Sequence, residues 1–110
     1  MTQNDVKKYL PLTETTYYIL LALVEPLHGY AAIKKISQLS EGVVNVGAGT
    51  MYNALSNLLQ ENLIFQVGQD ARRKMYQLTA RGQRVLRTQV ERLAHMAGCG
   101  QEALTRLETE

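Results

Sequence analysis

The chain has 110 residues, 45% of them hydrophobic, with 12 Lys and Arg against 10 Asp and Glu for a net charge of +2. That size fits one domain with a small core, which gains stability by burying surface in an oligomer, and a charge this near zero does not by itself announce nucleic acid. A single cysteine, Cys99, excludes an internal disulfide, the first ten residues lack a signal peptide's apolar core, and residues 17–24, the longest dense apolar stretch, are too few to span a bilayer, so a cytoplasmic protein is expected.

Thr13 is a good N-cap for a first helix, with Glu14 in the first turn where the helix dipole favours it. The helix is expected to run to about Glu25, stopped by Pro26, and to be largely buried through Ile19, Leu20, Leu23 and Val24. His28-Gly29 reads as a turn, with His28 packed there or stabilising it. A second helix then carries Tyr30, Ile33, Ile36 and Leu39 at every third position, with Lys34 and Lys35 off that stripe. Glu41-Gly42 ends it, and residues 43–46 form an edge strand or an extended linker.

A third helix is expected from about Gly49 to Glu61, with Met51, Leu55, Leu58 and Leu59 on one face. Asn62 suits its end because asparagine tolerates the left-handed conformation. Residues 63–67 and 72–78 read as two strands, with residues 68–71 as their turn. Thr79 caps the last helix. On that helix Leu86, Val90, Leu93, Ala97, Gly100, Leu104 and Leu107 alternate spacings of four and three, a heptad seam over three repeats. Little of the chain is left to cover such a seam, so a second copy is the simplest partner.

Opposite the core face of the third helix lie Thr50, Asn53, Ser56, Asn57 and Gln60. Asn and Gln can bond adenine edges bidentately in a major groove, and Thr can touch a thymine methyl. Tyr52 falls on the flank, where its ring can pack while its hydroxyl reaches a phosphate. Gly47 and Gly49 allow close approach to the free N–H groups of the helix start. Polar residues on a solvated face need no function, and no Lys or Arg lies between Gly47 and Gln60. Phosphate contacts therefore fall to Lys34, Lys35, Arg72, Arg73 and Lys74. A run of three basic residues is also common in solubilising turns. It is the order, helix-turn-helix and then basic hairpin, that favours DNA.

The motifs LTETTYYILLAL at 12–23, HGY at 28–30, GTMYNAL at 49–55, NLI at 62–64 and RRKMYQLTARG at 72–82 occur together and in order. In this the chain resembles the PadR family of winged-helix transcriptional repressors over residues 10–108, in its shorter branch with a single C-terminal helix. The resemblance implies a homodimer on a palindromic operator, the third helix in the major groove and the wing at or near the minor groove. It assigns Thr50 and Tyr52 to the recognition helix and Arg72, Arg73 and Lys74 to the wing, with Tyr76, Leu78, Thr79 and Gly82 structural. The family usually has Pro where this chain has Ala48, and Gly where it has Ala71.

Family members sense small molecules in or near the dimer interface, some through tryptophan, which this chain lacks. Two helical glycines flank Cys99, each costing about 1 kcal/mol relative to alanine. A kink, a close helix crossing, or a ligand cavity bordered by Met96 and Cys99 accounts for them. His95 and Cys99 share a face, and two chains would supply two of each, but the spacing does not match known zinc patterns and no metal or cofactor is assigned.

The expected fold class is therefore mainly α with a small β-hairpin: a winged helix-turn-helix over residues 1–79 and a dimerisation helix over 80–110. The expected function is a sequence-specific transcriptional repressor released from double-stranded DNA by a small-molecule effector. The alternative is a winged-helix protein–protein interaction module. With two histidines, one cysteine and no acid/base constellation, an enzyme is not expected.

Overall fold

In the computed structural model the described residues are 4–70 and 72–109. In chain order the elements are α1 (Asn4–Lys7), α2 (Glu14–Ala22), β1 (Leu27–His28), α3 (Gly29–Leu39), α4 (Ala48–Gln60), β2 (Ile64–Asp70), β3 (Arg73–Leu78) and α5 (Ala80–Thr109). The fold is mainly helical. Its sheet has three antiparallel strands in the order β1-β3-β2, one more than the hairpin expected from the sequence. The extra strand pairs Leu27 with Tyr76 and His28 with Met75. The short α1 was also not foreseen.

That extra strand explains why α2 stops early. Thr13 caps it as expected, accepting from the Thr16 N–H at 3.1 Å. The helix ends at Ala22 rather than near Glu25, with Leu23 as C-cap. The Leu23 carbonyl accepts from the Leu78 N–H, and the Val24 carbonyl from the Gln77 side chain. The sheet thus takes over carbonyls that a longer helix would have left orphaned. Val24, expected to be buried, is 53% exposed.

On α3 the three-residue stripe is only half right. Ile36 is buried, but Tyr30 and Leu39 are exposed, and Gly29 and Ala32 take their place in the core. A strict period of three drifts about 60° per step around a 3.6-residue helix, so its two ends part company. Glu41 and Gly42 follow with positive φ, as the expected helix end requires. Residues 43–46 form no strand; they follow as a bend and irregular loop that buries Val44 and Val46.

On α4, Met51, Leu55 and Leu58 are buried, whereas Leu59 is 39% exposed. Asn62 takes φ 60°, the left-handed end expected of it. The strand β2 runs on to Asp70, which pairs with Arg73, so the tip is tighter than the expected 68–71 turn. Gly68 sits in the strand beside a bulge, where the absence of a side chain is tolerated. The turn type at Ala71 lies outside the described residues.

Thr79 ties head to helix. Its hydroxyl donates to the Asn62 carbonyl at 2.7 Å and accepts from the Gly82 N–H at 3.0 Å. A Cβ on Gly82 would collide with the Leu63 carbonyl oxygen, so only glycine lets α5 lie this close to the α4–β2 junction. The core then continues past residue 79. Val85 and Leu86 join the cluster of Ile19, Leu20, Leu23, Ile36, Met51 and Ile64. Leu86, expected on the dimer seam, is thus a core residue of its own protomer.

Candidate nucleic-acid interface

The α4 helix is held by its apolar face, which leaves Thr50, Tyr52, Asn53, Ser56, Asn57 and Gln60 exposed. Gly47 is its N-cap and supplies no side-chain bond, so the first N–H groups are open to an incoming acceptor. Ala48 is the first helical residue, the position where proline would also fit.

The hairpin folds back towards the start of this helix. A cleft of about 260 Å³ is lined by His28, Tyr52, Arg72, Arg73, Lys74 and Tyr76. Tyr52 from α4 and the three wing cations therefore face one concave space. The Tyr52 ring lies over Gly29, where an added Cβ would stand 2.9 Å from it. His28 connects the parts. Its Nδ1 accepts from the Ala31 N–H at 3.2 Å, capping α3, and its Nε2 lies 3.1 Å from Nη1 of Arg73.

The other expected residues are spread more widely. Asn57 lines a separate cleft with Thr13, Thr16 and Glu61. Lys8, not foreseen, holds its ammonium 3.8 Å from the carboxylate of Glu61. Lys34 is exposed with its ammonium 4.8 Å above the Tyr30 ring, and Lys35 is half-buried; neither lines the wing cleft. His28 stabilises its turn as expected, by capping α3, but its place beside the wing was not foreseen. A lone histidine in a turn gives no functional signal, and a two-residue strand is too short to be read.

The α5 helix carries the rest of the expected site. From Val90 to Thr109 every residue is exposed, including Leu93, Ala97, Gly100, Leu104 and Leu107. Met96 is 60% exposed, and Cys99 is exposed with its sulfur 3.7 Å from His95 Nε2. Among the described residues no group of three or more His, Cys, Asp or Glu could hold a metal ion, and no helix is long and apolar enough to cross a membrane.

Two clefts flank the root of α5. One of about 360 Å³ is lined by Val24, Leu78, Leu86 and Val90, among others. The other, of about 350 Å³, is lined by Leu12, Glu14, Tyr17, Tyr18, Gln89 and Leu93. Gln89 is 5% exposed, and its Oε1 has no hydrogen-bond partner among the described residues.

A helix-turn-helix with an open polar helix face, a basic wing beside it and one long trailing helix defines a winged-helix protein. The chain belongs to the PadR-like family of transcriptional regulators, whose model matches residues 19–88, more than half of its length. That places it among regulators and not among enzymes. It is 30% identical to a PadR-family transcriptional regulator from Eggerthella lenta, with a TM-score of 0.63 over 83% of this chain and 80% of that one. It is 25% identical to Bacillus subtilis PadR, whose structure is a complex with operator DNA, with a TM-score of 0.62 over 73% of this chain and 48% of that one. It is also 32% identical over 81 residues to an uncharacterized 37.1 kDa protein of a Streptomyces fradiae transposon. This match takes in 73% of the present chain but spans only 23% of that relative.

Proposed function

We propose that the protein is a homodimeric, sequence-specific DNA-binding repressor of the cytoplasm, with α4 in the major groove and the wing on flanking phosphates. The observation that carries this is the shared cleft: Tyr52 of α4 and Arg72, Arg73 and Lys74 of the wing face the same space. Beside it, Thr50 and Asn53 stand free to meet base edges. The operator complex of the Bacillus subtilis relative supports the same reading. The dimer rests on the exposed heptad from Val90 to Leu107, which the other described residues leave exposed.

Release by a small molecule completes the proposal. The clefts at the root of α5 have the volume of small-ligand sites and lie between head and seam, where an occupant would alter the angle of the two heads. A cavity at Met96 and Cys99 would need walls from the second copy.

Selection from a random duplex pool tests the DNA reading. Enrichment of a palindrome with half-sites about 10 bp or a multiple apart is expected. Arg72→Ala with Arg73→Ala should weaken binding and flatten its salt dependence by about four in log-log slope, two contacts from each of the two wings. If no duplex is enriched, the protein–protein interaction module is the better reading. If the double variant binds as tightly as the parent, the wing assignment is wrong.

A further inference from the structure

The geometry of His28 points to a specific occupant of the wing cleft. A neutral imidazole carries one N–H and one acceptor nitrogen. His28 Nδ1 is already an acceptor, taking the Ala31 N–H at the start of α3. The ring proton therefore sits on Nε2. The group facing Nε2 at 3.1 Å is Arg73 Nη1, and a guanidinium can only donate. Two donors thus converge across the cleft, one from β1 and one from the wing. The other tautomer would accept from Arg73, but its Nδ1–H would then oppose the Ala31 N–H and uncap α3. An acceptor lying beside the pair, within reach of both Nε2–H and the guanidinium, satisfies both groups and keeps the cap.

Arg72, Lys74 and Tyr52 line the same space, so the acceptor that fits is anionic. We propose that this cleft seats one DNA backbone phosphate, with His28 Nε2–H and Arg73 donating to its oxygens. His28 is then a neutral phosphate ligand locked in one tautomer by the helix it caps. Gly29 completes the seat by letting the Tyr52 ring lie against the backbone beside it. The site rests on the DNA-binding reading for the identity of its occupant, but its donor geometry does not.

Asparagine and glutamine separate the two roles of the ring. His28→Asn keeps an oxygen where Nδ1 caps α3 and removes the distal donor. It should fold with an unchanged melting temperature and bind the selected duplex about tenfold more weakly. The slope of log K against log salt should not change, because no charge is lost. Arg73→Ala should lower that slope by about two, one contact per protomer, and His28→Asn added to Arg73→Ala should cost less than about threefold more, since both groups serve one phosphate. His28→Gln keeps a distal N–H and should hold affinity within about threefold of the parent while losing some thermal stability.

Nitrogen NMR of the His28 ring supplies a readout apart from affinity. A proton on Nε2 in the free protein, shifting on addition of inorganic phosphate or duplex, is expected. If duplex binds and folded His28→Asn matches the parent, the phosphate seat is wrong while the DNA reading stands. If no duplex binds but inorganic phosphate moves the Nε2–H signal, the seat stands and the DNA reading fails. A proton found on Nδ1 overturns the seat outright.

Discussion

The two ends of α5 share one heptad spacing and meet different fates. In its first ten residues Gly82, Val85, Leu86 and Gln89 are buried. In its last twenty, from Val90 on, every residue is exposed, with Leu104 at 53% and Leu107 at 70%. Periodicity says which face of a helix is apolar. It does not say what covers that face. The root of the helix is covered by the protomer's own α2 and β3, whereas nothing else among the described residues covers the distal part.

The largest effects should come from testing that division with matched truncations. Leu86→Ala should destabilise the head by about 2–5 kcal/mol, because Leu86 belongs to the protomer's core. The loss should appear in denaturant melts at every protein concentration. Leu104→Ala should instead weaken association, visible by sedimentation, and its effect on melting should fade as protein concentration rises. A concentration-independent loss from Leu104→Ala would break the comparison, since it would mean that the distal helix is stabilised within one chain.

Gly82→Ala probes the junction. The new methyl would meet the Leu63 backbone, which cannot swing aside as a side chain can. A cost of about 1–3 kcal/mol is expected from overpacking, read as a lower denaturation midpoint. A smaller change would mean that α5 can lift away from the α4–β2 turn.

Where the signal was strong and local, the sequence reading held. Thr13 and Thr79 cap their helices, Asn62 turns left-handed, and Met51, Leu55 and Leu58 pack inward at helical spacing. The readings that slipped depend on long-range pairing. Leu27-His28 becomes a strand only because Tyr76 and Met75 lie alongside it, a partnership 49 and 47 residues away that no local pattern encodes. The same pairing shortens α2 and carries His28 to the wing. The candidate site was legible as two separate halves, the Tyr52 helix and the Arg72–Lys74 wing. Their meeting around His28 was not, because the histidine's role comes from what faces each side of its ring, the Ala31 N–H on one and the Arg73 guanidinium on the other.

The smallest effects should sharpen the distal half. A Cβ on Gly98 or on Gly100 would meet nothing within 4 Å in the protomer, so neither glycine is required by the chain's own packing. In an isolated helix each Gly→Ala change should therefore stabilise by about 1 kcal/mol. The two should diverge in the proposed dimer. Gly98 is off the heptad seam and Gly100 is on it, one step from Ala97 and Leu104. Gly98→Ala should raise the melting temperature. Gly100→Ala should raise the helicity of dilute protein yet weaken self-association, because its methyl would enter the space where the partner helix crosses. Equal stabilisation by both would show that the partner does not approach at Gly100, and would favour an open cavity at the level of Met96 and Cys99 over a close crossing.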